Sequence, residues 1–233
     1  MQITTKFFSI ILFILAIPCH AKEAFDFTIS PSWDSQYVTE GISNLDSGGL
    51  FSVDLAISKN DVAFGLWLAK GDSEDYEEIH LYSEYAFSIS QIEGYLNLKH
   101  LIFPEEASKE DRDNEIGVGL SYSPLHWLQS SVDTVWASEA KGGYVEVSLR
   151  SELITDESLY QITPYVLRSY DFGYASDSYD GINHTAIGAE LSALVSANTS
   201  LELGLHYSWA GKNLERDDLG NESWINIGLN TEF

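Results

Sequence analysis

The chain has 233 residues, enough for one domain, and its formal net charge is −24 at pH 7. Nucleic acid is therefore not an expected partner, because phosphate contacts require clustered lysine and arginine. The sequence is also 44% hydrophobic and 13% aromatic, which excludes an acidic disordered chain, since disordered segments are poor in aromatic residues. A folded domain is predicted, and both a soluble β-sandwich and a membrane barrel fit this composition.

The first residues have the pattern of an export signal. Lys6 supplies the positive charge, residues 7–17 form an apolar core, and Ala21 ends a small-residue cleavage site. The apolar run is too short for a membrane-spanning helix, which needs about 20 residues. Cys19 raises the alternative of a lipoprotein, although the residues before it fit a lipobox poorly. We expect a signal peptide at 1–21 and one domain at 22–233, whose mature chain would then contain no cysteine for a disulfide or a thiolate metal site.

Twelve segments alternate apolar and polar residues with the period of two that is typical of β-strands. Most have the length of about 9 to 11 residues that a tilted strand needs to cross a bilayer. The segments are 25–33, 50–58, 62–69, 78–87, 92–102, 115–123, 128–136, 144–153, 160–170, 185–194, 201–209 and 224–233.

The connections between these segments alternate between short and long. Tight turns are expected at 59–61, 88–91, around Pro124, at 155–158 and at 196–199. The long loops are 34–49, 103–114, 171–183 and 210–223, with shorter ones at 70–75 and 137–143 on the same side. This sorting is typical of an up-and-down outer-membrane barrel with both termini at the periplasmic side. A soluble sandwich has no reason to sort its turns by length.

The two faces of the predicted strands differ in polarity. Residues 51, 53, 55 and 57 are Phe, Val, Leu and Ile, whereas the alternate positions carry Asp54 and small polar side chains. Aromatic residues such as Trp33, Tyr170 and Trp209 stand at the ends of the apolar stripes, as in the headgroup zone of a membrane. The alternation alone also allows a soluble barrel with an apolar interior. The signal, the loop lengths and the aromatic residues favour an all-β, antiparallel, transmembrane up-and-down barrel of about twelve strands in the cell outer membrane.

The chain ends inside its last alternating segment, at the aromatic residue Phe233. Bacterial outer-membrane barrels end in this way, and we interpret Phe233 as the carboxy-terminal assembly signal. The expected partners are accordingly outer-membrane lipid, lipopolysaccharide and the barrel assembly machinery, which would bind the last strand.

Three segments resemble the TorF-like putative porins of Gram-negative bacteria. Residues 33–43 read WDSQYVTEGIS, residues 77–82 read EEIHLY, and residues 115–122 read EIGVGLSY. The family signature is roughly Ser-x-Tyr-Val-x-Arg-Gly-Ile-Ser, and Glu40 stands where that pattern has arginine. The resemblance implies an outer-membrane channel from a family whose substrates are mostly unassigned.

Enzymatic chemistry is not expected. His184-Thr185-Ala186 resembles the His-x-Ser pair of the outer-membrane phospholipase, but Ala186 occupies the position of the nucleophile. Asp111-x-Asp113-x-Glu115 copies the first ligands of a calcium loop without its glycine and final glutamate. A looser calcium or magnesium site with Glu105 and Glu106 stays possible, but we predict no metal site and no cofactor.

The polar face would line the lumen of the barrel. Its predicted pore-lining residues are Asp54, Glu78, His80, Glu84, Glu93, Lys99, Asp133, Glu146, Arg150, Glu190, Glu202 and His206. Because rings of carboxylates favour cations, these residues predict a porin-like channel for passive diffusion of small solutes with a preference for cations.

Two other functions stay open at this stage. Lys99 and Arg150 could form salt bridges that plug the lumen. The barrel would then be structural or adhesive and would act through loops such as 171–181. A lipid-modifying enzyme is less expected, because no nucleophile and base can be assembled on one face.

Overall fold

A computed structural model of the protein describes residues 25–104, 112–154, 159–176 and 179–233. The expected signal peptide and the acidic residues Glu105, Glu106 and Asp111 lie outside the described residues.

The described chain consists almost entirely of β-strands. The first half contains β1 (Asp26–Asp34), β2 (Val38–Thr39), β3 (Ile42–Ser43), β4 (Leu50–Lys59), β5 (Val62–Gly71), β6 (Glu77–Ile89), β7 (Ile92–Ile102) and β8 (Arg112–Leu125). The second half contains β9 (Leu128–Ala137), β10 (Gly142–Ser151), β11 (Leu153–Ile154), β12 (Tyr160–Phe172), β13 (Asp180–Ser196), β14 (Thr199–Ala210), a short helix α1 (Lys212–Arg216) and β15 (Glu222–Glu232). No helix among the described residues is long and apolar enough to cross a membrane.

Twelve of these strands form a closed antiparallel barrel. Each of the twelve pairs with the barrel strands that precede and follow it in the chain, so that β1 pairs with β4 and β10 with β12. The first strand also pairs with the last, and Trp33 stands opposite Ile227. The strand β11 continues the wall of β10 along β12, while β2 and β3 form a separate small hairpin inside the first long loop. The predicted fold class and the number of about twelve strands are confirmed.

The order of short and long connections is also as expected. Turns of two residues follow β4, β6, β8 and β13 at one end, where Asp26 and Phe233 also lie. The predicted segment 92–102 has the observed bounds, and most other strands extend one to three residues beyond the prediction.

The largest error concerns the loop predicted at 171–183. The strands continue to Phe172 and resume at Asp180, so the connection is limited to 173–179. The register shifts between Arg168 and Tyr170, and this bulge places the consecutive residues Asn183 and His184 together in the interior. Strict alternation fails at that point, which is why the sequence pattern alone loses the strand there.

The apolar face points outward. Phe51, Phe64 and Leu205 are each more than half exposed, at 57%, 59% and 64% of their surface. A soluble barrel would bury these side chains, so the alternative with an apolar interior is wrong. The predicted segment 144–153 is interrupted at Glu152, which lies in the break between β10 and β11.

Three cross-strand pairs of glycine and tyrosine shape the inner wall. Gly65 stands opposite Tyr82, Gly119 opposite Tyr95 and Gly188 opposite Tyr165. In each case the tyrosine ring lies over the glycine, because an added Cβ would come within 2.0 to 2.5 Å of ring atoms. The phenol hydroxyl therefore reaches the strand beyond.

The partners of these hydroxyls lie two strands away from the tyrosines. Tyr82 donates to both carboxylate oxygens of Asp54, at 2.8 and 3.0 Å. The hydroxyl of Tyr95 donates to Asp133 at 2.8 Å, and that of Tyr165 is 2.7 Å from His206 Nδ1. Each tyrosine thus joins three adjacent strands.

The last residue is part of this closed wall. The backbone N–H of Phe233 donates to the carbonyl of Phe27 at 2.9 Å, and the two rings are 6.2 Å apart. The carboxy terminus therefore completes the seam between the first and last strands.

We predict that Gly65→Val destabilises the barrel by about 1 to 3 kcal/mol, because overpacking displaces the Tyr82 ring from Asp54. The ideal Cβ at position 65 would lie 2.0 Å from Tyr82 Cζ. The measurement is the urea midpoint of the refolded barrel, read from tryptophan fluorescence. Gly220→Val is the control, since nothing lies within 4 Å of a Cβ there. Equal midpoints for Gly65→Val and the native chain would contradict the packing role of the glycine.

Candidate functional site: the barrel lumen

The residues predicted from sequence to line a pore all lie on the inner face of the barrel. Two of them, Asp133 and Glu146, stand directly opposite each other in the ladder, and Lys99 stands opposite a further acidic residue, Glu115. Inner positions of the other predicted residues follow from the same register: Asp54, Glu78, His80, Glu84, Glu93, Arg150, Glu190, Glu202 and His206.

The two basic residues of this set are both paired with carboxylates. Lys99 Nζ lies 2.9 Å from Glu115, which is almost fully buried. Arg150 Nη1 donates to Glu190 at 3.2 Å, and its guanidinium lies 5.0 Å from the centre of the Tyr165 ring. The sequence suggested both residues as salt-bridge partners, and these pairs neutralise the two cations without removing the acidic excess of the inner face.

Several inner carboxylates are held by neutral donors. Glu202 accepts from Ser192 at 2.8 Å and also from Ser200. Glu78 is buried and accepts from Tyr37 at 2.8 Å and Tyr76 at 2.7 Å. Such bonds compensate a carboxylate for its loss of water and hold it against the wall.

Two histidines of the set are stacked on tryptophans. His80 lies 2.6 Å from Glu78 and 4.5 Å from the Trp67 ring centre. His206 is 4.8 Å from the Trp224 ring centre, and its Nε2 is 2.8 Å from Asn226. Both rings are therefore fixed parts of the wall.

A cavity of about 340 Å³ opens into the lumen beside β6 to β10. Glu84, Glu115, Asp133 and Glu146 line it, together with Lys99 and two tyrosines. Within the described part of the chain, Glu84 and Glu146 have no hydrogen bond or ion pair, whereas the other carboxylates of the cavity are engaged. The cavity thus presents two carboxylates that can attract a mobile cation.

The first long loop, residues 35–49 and here called loop 1, folds into the barrel. Its tip is the two-residue turn of the β2–β3 hairpin, where Glu40 and Gly41 have φ values of 50° and 77°, as in a type I′ turn. The carbonyl of Glu40 accepts from the Asn183 side chain, and a Cβ at Gly41 would lie 2.6 Å from His184 Cγ. Only glycine fits this contact.

The base of loop 1 is fixed on the other side of the lumen. The ring of Tyr37 lies 6.1 Å from that of Trp67, and Leu45 is buried against Leu50 and Ala69. Burial, the Glu78 carboxylate and Tyr76 raise the pKa of Tyr37 well above its usual range, in that order. Loop 1 is therefore anchored at two points that face each other across the barrel.

The carboxyl group of Glu40, at the tip of loop 1, is influenced by charged residues of the inner wall. Burial raises the pKa of its carboxyl to about 6. A hydrogen bond from Thr39 and the charge of Lys99 act in the opposite direction, while Glu115 and Glu78 add to the increase.

Two further loops, after β12 and after β14, also fold inward at the long-loop end of the barrel. The hydroxyl of Tyr174, in the loop after β12, donates to Glu115 on β8. Burial raises the pKa of Tyr174, and Glu40 and Glu115 add to the shift. The loop after β14 contributes Asn213, whose amide donates to the fully buried Asp171 at 3.0 Å. Asp171 and Tyr174 belong to the segment that the adhesive alternative assigns to an outer loop, and both side chains fold inward.

Ser169 and His184 form a buried pair, with Ser169 Oγ 2.8 Å from His184 Nδ1. The Tyr144 hydroxyl lies 3.1 Å from the same nitrogen. These two hydroxyl contacts give the buried imidazole nitrogen polar partners in the wall.

Among the described residues no group of three histidine, cysteine, aspartate or glutamate side chains is arranged to hold a metal ion. Asp113 instead accepts three bonds from Ser138 and Glu139, near 3.0 Å.

Sequence reasoning missed Tyr37, Glu40, Glu115 and Tyr174 as residues of the lumen. Glu115 begins an alternating segment and faces inward with Gly117, so its orientation could have been inferred. The others lie in loops, where no periodicity indicates that the chain turns inward.

Comparisons with known proteins identify the fold. No family model matches the sequence, and no curated protein matches it. Solved structures do match: the KdgM porin, described in complex with disordered oligogalacturonate, has a TM-score of 0.61 at 9% identity and covers 88% of this chain and 99% of its own.

Two other structures are similar. An outer membrane channel from Pseudomonas putida F1 has a TM-score of 0.60 at 10% identity, covering 92% of this chain and 97% of its own. The NanC porin has a TM-score of 0.53 at 11% identity, covering 89% and 99%. The chain therefore has the twelve-stranded barrel fold of outer-membrane porins, in agreement with the outer-membrane location expected from the sequence.

Proposed function

We propose that this protein is an outer-membrane channel of the TorF-like type for passive diffusion of small solutes, with a preference for cations. The observation that carries the proposal is the charge balance of the inner face. Lys99 and Arg150 are each paired with a carboxylate, whereas Glu84 and Glu146, at a cavity open to the lumen, have no hydrogen-bond or ion-pair partner among the described residues.

Unpaired carboxylates in a narrow, water-filled barrel concentrate cations by electrostatic attraction. Glu146 stands directly opposite Asp133 in the ladder, so two negative groups lie side by side. Asp133 is held to the wall by Tyr95, which leaves Glu146 and Glu84 as the groups that a passing cation can contact. The KdgM porin is described with an acidic oligosaccharide. The acidic lumen of this chain favours solutes of the opposite charge.

Loop 1 and Tyr174 would form the constriction of this channel. Glu40 lies at the tip of loop 1, and Tyr174 reaches Glu115 on β8, three strands away from β12. Solutes would pass beside these side chains, along the cavity that Glu84 and Glu146 line, which limits passage to small molecules. The expected signal at 1–21, assembly through Phe233 and contacts with lipopolysaccharide belong to the same proposal, as does the absence of enzymatic activity.

The proposal is tested by single-channel recording of the refolded mature protein in a planar bilayer under a potassium chloride gradient. We expect conductance steps with a reversal potential of cation sign. The double variant Glu84→Gln with Glu146→Gln is expected to lower the cation-to-anion permeability ratio several-fold, because the lumen potential becomes less negative. Glu77→Gln is the control, since Glu77 pairs with Lys70 at the outer rim.

Anion preference, or a double variant with native selectivity, would contradict the assignment. A folded barrel without conductance would favour the structural or adhesive alternative, to which the inward-folded loops lend support. Gly41→Val separates the cases: its side chain cannot fit against His184, so loop 1 should leave the lumen. Conductance seen only in this variant would identify loop 1 as the plug.

The docking of loop 1 is expected to depend on pH through Glu40. Its carboxyl has a pKa of about 6 in the folded chain, above the ordinary value of 4.5, so docking favours the protonated form. The stabilisation is complete below pH 4.5 and is lost as the pH rises through about 6. We predict faster amide exchange in loop 1, relative to Glu40→Gln at the same pH, above this window than below it.

Comparison at equal pH removes the intrinsic pH dependence of exchange. Asp46→Asn, an exposed substitution on the same loop, should keep the native pH response. Parallel exchange in native protein and Glu40→Gln from pH 4 to pH 7 would show that Glu40 does not control docking.

A further inference from the structure

The outer face of β12 carries an arginine within its apolar stripe. Six outward side chains of this strand are exposed, namely Tyr160, Ile162, Val166, Arg168, Tyr170 and Phe172, and the half-buried Pro164 lies on the same face. Arg168 stands opposite Val147 on β10 and Thr185 on β13. Its guanidinium therefore lies on a surface that the fold turns toward lipid.

The position of Arg168 differs from the positions of the other charged side chains on the outer face of the described strands. The other charged outward side chains of the described strands lie within two positions of a strand end: Lys59, Lys70, Glu77, Arg112 and Asp180. Arg168 is four residues from the end of β12 and forms no ion pair with any described carboxylate. A lone arginine on a lipid face costs up to about 2 to 4 kcal/mol at mid-membrane and less near the headgroups.

The depth of Arg168 permits contact with headgroups. Tyr170 and Phe172 follow it toward the long-loop end, and Trp209 stands opposite its neighbour Thr185. These aromatic residues mark the interfacial zone, and a long arginine side chain can extend its charge into that zone while its stem stays in the apolar layer.

Arg168 also lines an open groove of about 560 Å³ on this face. The groove runs between β10, β12 and β13, and its other walls include Val147, Leu149, Val166 and Ile182. Thr185 adds a hydroxyl near the arginine. The surface therefore combines apolar groove walls with a cation midway along the groove, one level below Tyr170 and Ile182 at its long-loop end.

We propose that this groove binds one anionic lipid of the leaflet on the long-loop side. The guanidinium of Arg168 contacts the lipid phosphate and an acyl chain lies along the apolar walls. A planar guanidinium can donate two parallel hydrogen bonds to a phosphate, which compensates it for leaving water. A free phosphate would leave the apolar walls uncovered, so the lipid is the occupant that matches both parts of the site.

The test is native mass spectrometry of the refolded protein in detergent, titrated with phosphatidylglycerol or with phosphatidylcholine of the same acyl chains. We expect one tightly held phosphatidylglycerol and no comparable retention of phosphatidylcholine. Arg168→Gln should weaken phosphatidylglycerol binding roughly tenfold, as expected for the loss of a charge-assisted hydrogen bond. Arg168→Lys should retain part of the affinity because the charge remains.

Two controls isolate the site. Lys70→Gln removes a cation that is already paired with Glu77 at the rim and should bind the lipid as the native chain does. Arg168→Gln should fold at least as well as the native protein, because it removes a charge from an apolar surface. Equal phosphatidylglycerol affinity in the native chain and Arg168→Gln would overturn the proposal. A dimer that Arg168→Gln dissociates would also overturn it and would assign the groove to a second copy of the chain.

Discussion

The closure of the sheet is the constraint on which the rest of the structure depends. In lipid, an unpaired strand edge would leave backbone groups without hydrogen-bonding partners, at a cost of several kcal/mol for each. The pairing of β1 with β15, completed by Phe233, joins the first and last strands of the meander, which would otherwise be its edges. Once the sheet is closed, its two faces are fixed, and the alternation of the sequence can place apolar residues outside and charged residues inside.

The inside-out arrangement changes what stabilises the chain. Among the described residues, a small buried apolar cluster surrounds Leu50 at the long-loop end. The strands of the inner wall are linked mainly by polar side-chain contacts. Tyrosines that cross a glycine to reach Asp54, Asp133 or His206 tie the wall in groups of three strands. These contacts hold Asp54 and Asp133 against the wall, whereas Glu84 and Glu146 have no such partner among the described residues.

The sequence allowed the fold to be predicted well because a period of two is a local signal repeated in every strand. The inner positions of Asp54, Glu84 and Glu146 followed from that period alone. The signal failed at Asn183 and His184, where a bulge turns two consecutive side chains inward. It also gave no indication that loop 1 folds inward, because the contacts of loop 1 with Glu78 and Asn183 join residues that are distant in the chain.

The glycines opposite Tyr82, Tyr95 and Tyr165 bear on how the bore of such a barrel can change over evolutionary time. Strand number sets the circumference of the wall, but these glycines let three bulky rings lie flat along it. A larger residue at any of these positions would turn a ring toward the axis and free the carboxylate or imidazole that it now holds. A single substitution could therefore narrow the bore and alter its charge together, without any change in the number or the register of the strands.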